Sequence, residues 1–145
     1  MSFYSSTHKL NNAIELIMDP ISDFFTRIRN GYHARLATVV LPYSKLKEEI
    51  ARILEAKRYI AGVEKKGRKV RKFLEVKLRF DGTNPAIHGV RILSKPSRRL
   101  YVKADGIKAV RQGFGVLIVS TSKGLMTGDD AKKASLGGEM IVEVW

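Results

Sequence analysis

Gly113-Phe114-Gly115-Val116-Leu117-Ile118-Val119-Ser120-Thr121-Ser122-Lys123-Gly124 sets two patterns back to back. Val116 to Val119 is a short apolar, β-branched run bounded by glycines. That suits a buried strand and leaves too little length for a helix. The run closes on Ser120 to Gly124. Three small hydroxyl side chains, one ammonium and a glycine that admits close backbone approach can hydrogen-bond bases, sugars or phosphates without steric bulk. This hydroxyl-rich loop is the leading candidate site. Beyond it, Leu125 and Met126 are expected to pack inward, Thr127 to cap a short helix through Ser135, and Gly137-Gly138 to stop that helix. Met140, Val142 and Val144 then alternate with Ile141, Glu143 and Trp145 to finish a sheet.

Upstream, Asp105 to Gln112 reads as a short helix and Ile87 to Leu93 as a strand. Between them, Lys95, Pro96, Arg98, Arg99, Tyr101 and Lys103 interleave cations with an aromatic ring, as a nucleic-acid surface requires. Tyr101 is read either as a stacking ring or as half-buried core. Asp81-Gly82 and Asn84-Pro85 mark a turn and the best boundary between two lobes.

In the amino-terminal half, Asp19-Pro20 starts a helix, with Asp19 as cap and Pro20 in the first turn. Ile21, Phe24, Phe25 and Ile28 form its buried stripe, and Gly31 looks like a terminator or a late break. The polar face carries Asp23, Thr26, Arg27, Arg29 and Asn30, either simply solvated or, through Thr26, Arg27 and Asn30, in contact with RNA. Thr38 to Leu41 make a strand ended by Pro42. Ser44 caps a second helix through about Arg58, whose mixed charges, Lys47 among them, read as an exposed face. Strands are expected over Tyr59–Val63 and Phe73–Phe80, the latter alternating with period two. Six of the eight residues from Lys65 to Lys72 are basic, including Lys65, Lys66, Arg68 and Lys69; this hairpin tip either grips phosphates or serves solubility.

The fold class is therefore α+β, in two small lobes. An amino-terminal α/β lobe over residues 19–83 runs helix-strand-helix-strand-strand, and residues 84–145 form a carboxy-terminal antiparallel sheet with short helices. Residues 1–18 read as an extension without the marks of a secretory or transit peptide, and Met18 is an alternative start.

The 27 lysines and arginines against 14 acids give a net charge of +13 and make a polyanion the default partner. The excess is uneven. Residues 1–62 hold nine cations and six acids, residues 63–145 eighteen and eight, so the second half is expected to carry the binding face. The chain has no cysteine, which removes disulfides, thiolate metal sites and thiol nucleophiles, and no apolar run approaches the roughly 18 residues of a membrane span.

Catalysis finds no constellation. Ser120-Thr121-Ser122-Lys123 has Ser-x-x-Lys spacing, but a strand precedes it and Gly124 follows where the lysine would need a helix. His8, His33 and His88 lack metal-ligand spacing, and Gly113-Phe114-Gly115 enters a strand where a nucleotide loop would open a helix. No enzyme, cofactor or metal is expected. An RNA-acting enzyme and a basic protein-interaction module are the rival classes, neither with a supporting motif.

Several segments in order resemble the bacterial-type small ribosomal subunit protein S-eight family. These are Asp19-Pro20-Ile21 with Thr26-Arg27-Ile28-Arg29-Asn30; Ser94-Lys95-Pro96 with Arg98-Arg99 and Tyr101-Val102; Gly113-Phe114-Gly115-Val116 through Ser120-Thr121-Ser122-Lys123-Gly124-Leu125-Met126-Thr127; and Gly137-Gly138-Glu139 with the ending Glu143-Val144-Trp145. Ser97 departs from the glycine usual after Lys-Pro, and Gly128-Asp129-Asp130 from the usual helix entry. The resemblance implies two lobes and direct binding to the central domain of small-subunit ribosomal RNA, with a role in organising assembly of the platform. Ser120, Thr121, Ser122, Lys123 and Gly124 would then read an irregular RNA helix. Implied partners are ribosomal RNA and neighbouring small-subunit proteins, with no membrane and no small-molecule substrate; the implied location is the small subunit in the cytoplasm, an organellar ribosome staying open. The alternative is a structured-RNA binder or translational repressor without a ribosomal role.

Overall fold

The computed structural model describes residues 20–145. The extension and the expected Asp19 cap lie outside the described residues.

Helix α1 (Pro20–His33) buries Ile21, Phe24, Phe25 and Ile28, as the periodicity predicts. It does not stop at Gly31. That residue faces Val39 so closely that a side chain there would collide, so the glycine serves helix-on-strand contact within the helix. Strand β1 (Thr38–Pro42) follows, then α2 (Lys45–Ala56), where the Ser44 hydroxyl accepts from the Lys47 amide at 3.2 Å. Lys47 departs from expectation. Its side chain is buried, and its Nζ meets Asp23 Oδ2 at 2.9 Å, so a cation read as surface ties α2 to α1.

Strands β2 (Ile60–Arg68) and β3 (Arg71–Leu78) complete an antiparallel sheet of order β1-β3-β2. Leu74, Val76 and Leu78 point into the core. The basic segment expected as a hairpin tip is one, and most of it is strand, because the register continues through Lys66↔Phe73 to Arg68↔Arg71. Only Lys69 and Val70 turn. A small hairpin, β4 (Phe80–Asp81) with β5 (Asn84–Pro85), occupies the expected turn.

The carboxy-terminal sheet runs β6-β10-β8-β9, with β7 also on β10. The strands are β6 (Val90–Ile92), β7 (Tyr101–Val102), β8 (Val116–Thr121), β9 (Gly124–Thr127) and β10 (Gly138–Val144). The α+β class and its element order stand. Three details differ from expectation. The strand expected from Ile87 shrinks to β6, since Ile87 is core and the His88 and Gly89 amides donate to the Trp145 carbonyl. Asp105 to Gln112 is two 3-10 turns, Ala104–Gly106 and Val110–Gly113, because Arg111 and Gln112 take left-handed conformations. Helix α3 (Gly128–Lys133), capped by Thr127, ends with Ser135 left-handed, ahead of the glycines.

Strand β8 is covered on both faces, which is why its sequence is apolar without alternation. Val116 and Ile118 join a large core with α1, α2 and the amino-terminal sheet. Leu117 and Val119 pack with Ile107, Val110 and Ala131 in a second, smaller core. In β10 the pairing shifts between Met140 and Val142, so Ile141 is an extra residue and both Ile141 and Val142 are buried in the large core.

Candidate nucleic-acid interface

Ser120 and Thr121 are the last residues of β8, and β9 begins at Gly124, so the turn proper is Ser122-Lys123. The site is a tight hairpin, not the open loop read from sequence. Strand alternation sends Ser120 and Thr121 to opposite faces, so the three hydroxyls are not one patch. Thr121 holds the turn: its Oγ1 accepts from the Lys123 amide at 3.1 Å and donates to the Gly124 carbonyl at 2.8 Å. Gly124 supplies the left-handed residue the reversal needs, at φ +106. Ser122 and Lys123 stand exposed at the tip, with no side-chain partner among the described residues.

Cross-strand register brings the second basic segment here. Tyr101 pairs with Glu139, Glu139 with Ser120, and Ser120 with Leu125, making one row across four strands at this end of the sheet. Tyr101 is 72% exposed, which favours the ring reading over the core reading. Glu139, mostly buried, accepts from Arg99 Nη1 at 3.3 Å and holds that guanidinium beside the hairpin. Gly137 and Gly138 let β10 enter between β7 and β8. A β-carbon on Gly138 would stand 2.9 Å from the Ser120 carbonyl carbon and nearer still to its oxygen.

The loop from Ser94 to Leu100 is built by a buried hydroxyl. Ser94 Oγ accepts from the Leu100 amide at 3.0 Å, Leu100 O accepts from the Met140 amide at 2.8 Å, and Lys95 and Arg98 exchange two backbone bonds of 2.9 Å. Pro96 and Ser97 make the tip. Ser97 needs no positive φ here, so a residue other than glycine fits the turn. Lys95, Arg98, Arg99 and Lys103 are all exposed around it.

Other candidates lie elsewhere. Thr26 lines, with Lys95 and Pro96, a groove of about 1300 Å³ between α1 and the segment from Pro85 to Ser97. Arg27 bonds Asp23 at 3.1 Å, and Asn30 is exposed on the same helix. In the amino-terminal hairpin, Lys65 lies 4.4 Å over the Tyr43 ring, and Lys66 meets Glu75 at 2.7 Å and Glu64 at 3.6 Å. Arg68 and Lys69 at its tip have no partner among the described residues. The structure thus gathers Lys95–Lys103 and Ser120–Gly124, brings Thr26 and Arg29 of α1 to one groove with Lys95, and leaves the amino-terminal hairpin cations as a separate patch. Sequence reasoning placed Glu139 only within the Gly137-Gly138-Glu139 motif and missed its bond to Arg99, which depends on the pairing of β7 with β10. At the opposite end of β8, Phe114 is 83% exposed and Arg111 stacks 4.0 Å over Trp145.

Two of the shifted groups, Asp23 and Tyr32, lie within the fold's own contacts. Partial burial works to raise the Asp23 pKa, but bonds from Lys47 and Arg27 outweigh it and leave it below the ordinary value. Burial pushes Tyr32 up; its hydroxyl donates to the Arg79 carbonyl at 3.0 Å. Among the described residues no group of three His, Cys, Asp or Glu is placed to hold a metal ion, and no helix is long and apolar enough to cross a membrane.

The family model described as "Ribosomal protein S8" matches residues 19–145. Among curated relatives, the "Small ribosomal subunit protein uS8" of Dehalococcoides mccartyi is 44% identical over 131 residues, covering 90% of this chain and all of the relative. That of Dictyoglomus turgidum is also 44% identical, over 89% of this chain and 98% of its own length, and that of Mycoplasmopsis synoviae 42% over the same shares.

Proposed function

The chain belongs to the ribosomal protein S8 family, and from that premise we propose that it binds the central domain of small-subunit ribosomal RNA directly and helps organise assembly of the platform. Its place of action is the small subunit of cytoplasmic ribosomes, beside neighbouring ribosomal proteins, and it carries no catalysis. One observation bears most of the weight: the register Tyr101–Glu139–Ser120 sets an exposed ring, the Arg99 guanidinium and the Ser122-Lys123 turn at one end of one sheet.

Binding divides into two parts. Lys95, Arg98, Arg99, Lys103 and Lys123 meet phosphates, with the hairpin tip at Arg68 and Lys69 and the α1 face as outlying grips. The hairpin discriminates. An undistorted A-form major groove is too narrow for side chains, so Ser120 and Ser122 bond base edges or ribose 2′-hydroxyls of a distorted helix, and Tyr101 stacks. Thr121 acts from behind by fixing the turn.

The test is a salt titration of binding to cognate and scrambled RNA. Lys95→Ala and Arg99→Ala should each flatten the salt slope by about one unit and weaken both RNAs alike. The double variant Thr121→Ala, Ser122→Ala should lower the preference for cognate RNA while leaving the slope nearly unchanged. Proportional loss of slope and preference in all three variants would show that the two parts are not separate.

A further inference from the structure

Phe114 stands 83% exposed, at the end of β8 away from the Ser122-Lys123 turn. An exposed ring alone signifies little, but here the backbone holds it out. Arg111 and Gln112 take φ 48 and φ 57, followed by Gly113 at φ 97. Left-handed backbone is costly for a residue with a β-carbon, and among the described residues these are the only two non-glycines in succession that adopt it. Three bonds keep the turn closed. The Phe114 amide donates to the Arg111 carbonyl at 3.1 Å, the Gly115 amide to the Val110 carbonyl at 3.2 Å, and the Tyr59 hydroxyl to the Phe114 carbonyl at 3.2 Å. The space beside the next residue is already filled: a β-carbon on Gly115 would stand 2.6 Å from Val110 and 2.9 Å from the Val144 carbonyl oxygen.

Cations flank the ring. The Tyr59 bond brings the end of α2 alongside, where Lys57 and Arg58 are exposed. Lys108 is exposed earlier in the same loop, and Arg111, itself exposed, lies 4.0 Å over the Trp145 ring. The side chains of Lys57, Arg58 and Lys108 have no hydrogen-bond or ion-pair partner among the described residues. Across residues 56–59 and 104–114 the sole acid is Asp105. A protein interface gathers aromatic rings and arginine but sheds lysine, and it would leave such cations buried without partners. A polyanion supplies a phosphate for each of them, and any base it carries can stack on the ring. At ~3.3 Å per strand residue the ring lies about 25 Å from Ser122, so one nucleotide cannot meet both.

We propose that Phe114 stacks on an unpaired base of a second RNA segment, with Lys57, Arg58, Lys108 and Arg111 meeting the flanking phosphates. This shares with the proposed function the premise that RNA is the partner, but not the surface. RNA is then gripped at both ends of β8, and a ring already held out by its turn needs little ordering to stack.

The experiment is base-reactive probing of small-subunit ribosomal RNA bound by the full chain, together with filter binding at fixed salt. Phe114→Leu should unprotect bases distinct from those unprotected by Tyr101→Leu and weaken binding about 5- to 100-fold, the loss of one stacked base. Its melting midpoint should match the parent's, because the ring is exposed. Phe114→Tyr should keep both protection and affinity. Lys57→Ala with Lys108→Ala should lower the salt slope by about two units. A Phe114→Leu protein that binds within twofold with every protection intact overturns the proposal, as does one that unprotects the same bases as Tyr101→Leu. So does a Phe114→Leu protein that binds bare RNA normally yet fails to enter small subunits, which would assign the ring to a neighbouring protein. If Tyr101→Leu changes no protection while Phe114→Leu does, this inference stands and the reading of the hairpin end falls.

Discussion

Gly138→Ala is the sharpest probe of the interface. Gly138 pairs with Val102 on one side, while its neighbour Glu139 pairs with Ser120 on the other. The added carbon meets the Ser120 carbonyl group, with the carbonyl carbon at 2.9 Å, and the Val119 side chain at 3.1 Å. These neighbours are a strand backbone and a fully buried valine, so neither yields easily. Relief requires β8 and β10 to part by about an ångström at the Ser120 register. Losing two ladder bonds there costs about 1–3 kcal/mol at roughly 0.5–1.5 kcal/mol each. At about 3–5 °C per kcal/mol for a domain of this size, the melting midpoint should fall by ~3–15 °C. The hairpin moves with β8, so RNA affinity should fall about 5- to 30-fold, the equivalent of ~1–2 kcal/mol. Trp145, the only tryptophan, reports the melt, and filter binding at fixed salt reports affinity. Gly62→Ala is the control, because its nearest contacts are at 3.6 Å or beyond. A Gly138→Ala protein melting within a degree of the parent and binding within twofold would refute close strand approach as the reason for this glycine.

Thr121→Val keeps shape and loses both turn bonds, so it should destabilise by about 1 kcal/mol and weaken RNA binding, whereas Thr121→Ser should do neither; urea midpoints and filter binding separate them. Asp23→Asn strips a buried ammonium of its partner, and because Asp23 is 39% exposed the loss should be about 1–2 kcal/mol, below that of a fully buried pair. The Asp23 pKa is depressed in the folded state, so its contribution is present above the unfolded carboxylate value, near pH 4, and disappears as pH falls through the folded value. Wild type and Asp23→Asn should therefore converge in stability in acid, as urea titrations from pH 7 to pH 3 would read. Tyr32 has the opposite sign: its raised pKa gives stability that is complete below about pH 10 and is lost as pH climbs through the folded value, and Tyr32→Phe should remove that alkaline limb.

Local signals that agreed with tertiary packing were legible in the sequence. The Ser44 cap, the stripe Ile21-Phe24-Phe25-Ile28 and the unalternating run Val116–Val119 all carry their reason within a few residues. What failed depended on distant contacts. Gly31 looked like a stop because its partner Val39 lies on another element, and Lys47 looked exposed because Asp23 lies on another helix. The alternation assumed for the last strand slipped at Ile141, since a bulge is set by the neighbouring strand. At the interface, residue types and segments were readable but their grouping was not. Hydroxyls taken as one patch are divided between two faces and a turn, and the row from Tyr101 to Ser120 exists only through β10.

The large core draws Val116, Ile118 and Val142 from one half of the chain and Phe24, Leu54 and Val76 from the other. Neither half could be cut away without stripping oil-like surface from its mate. The two sheets and both long helices thus share a single keel, so a load placed on one end of the molecule is borne by the other.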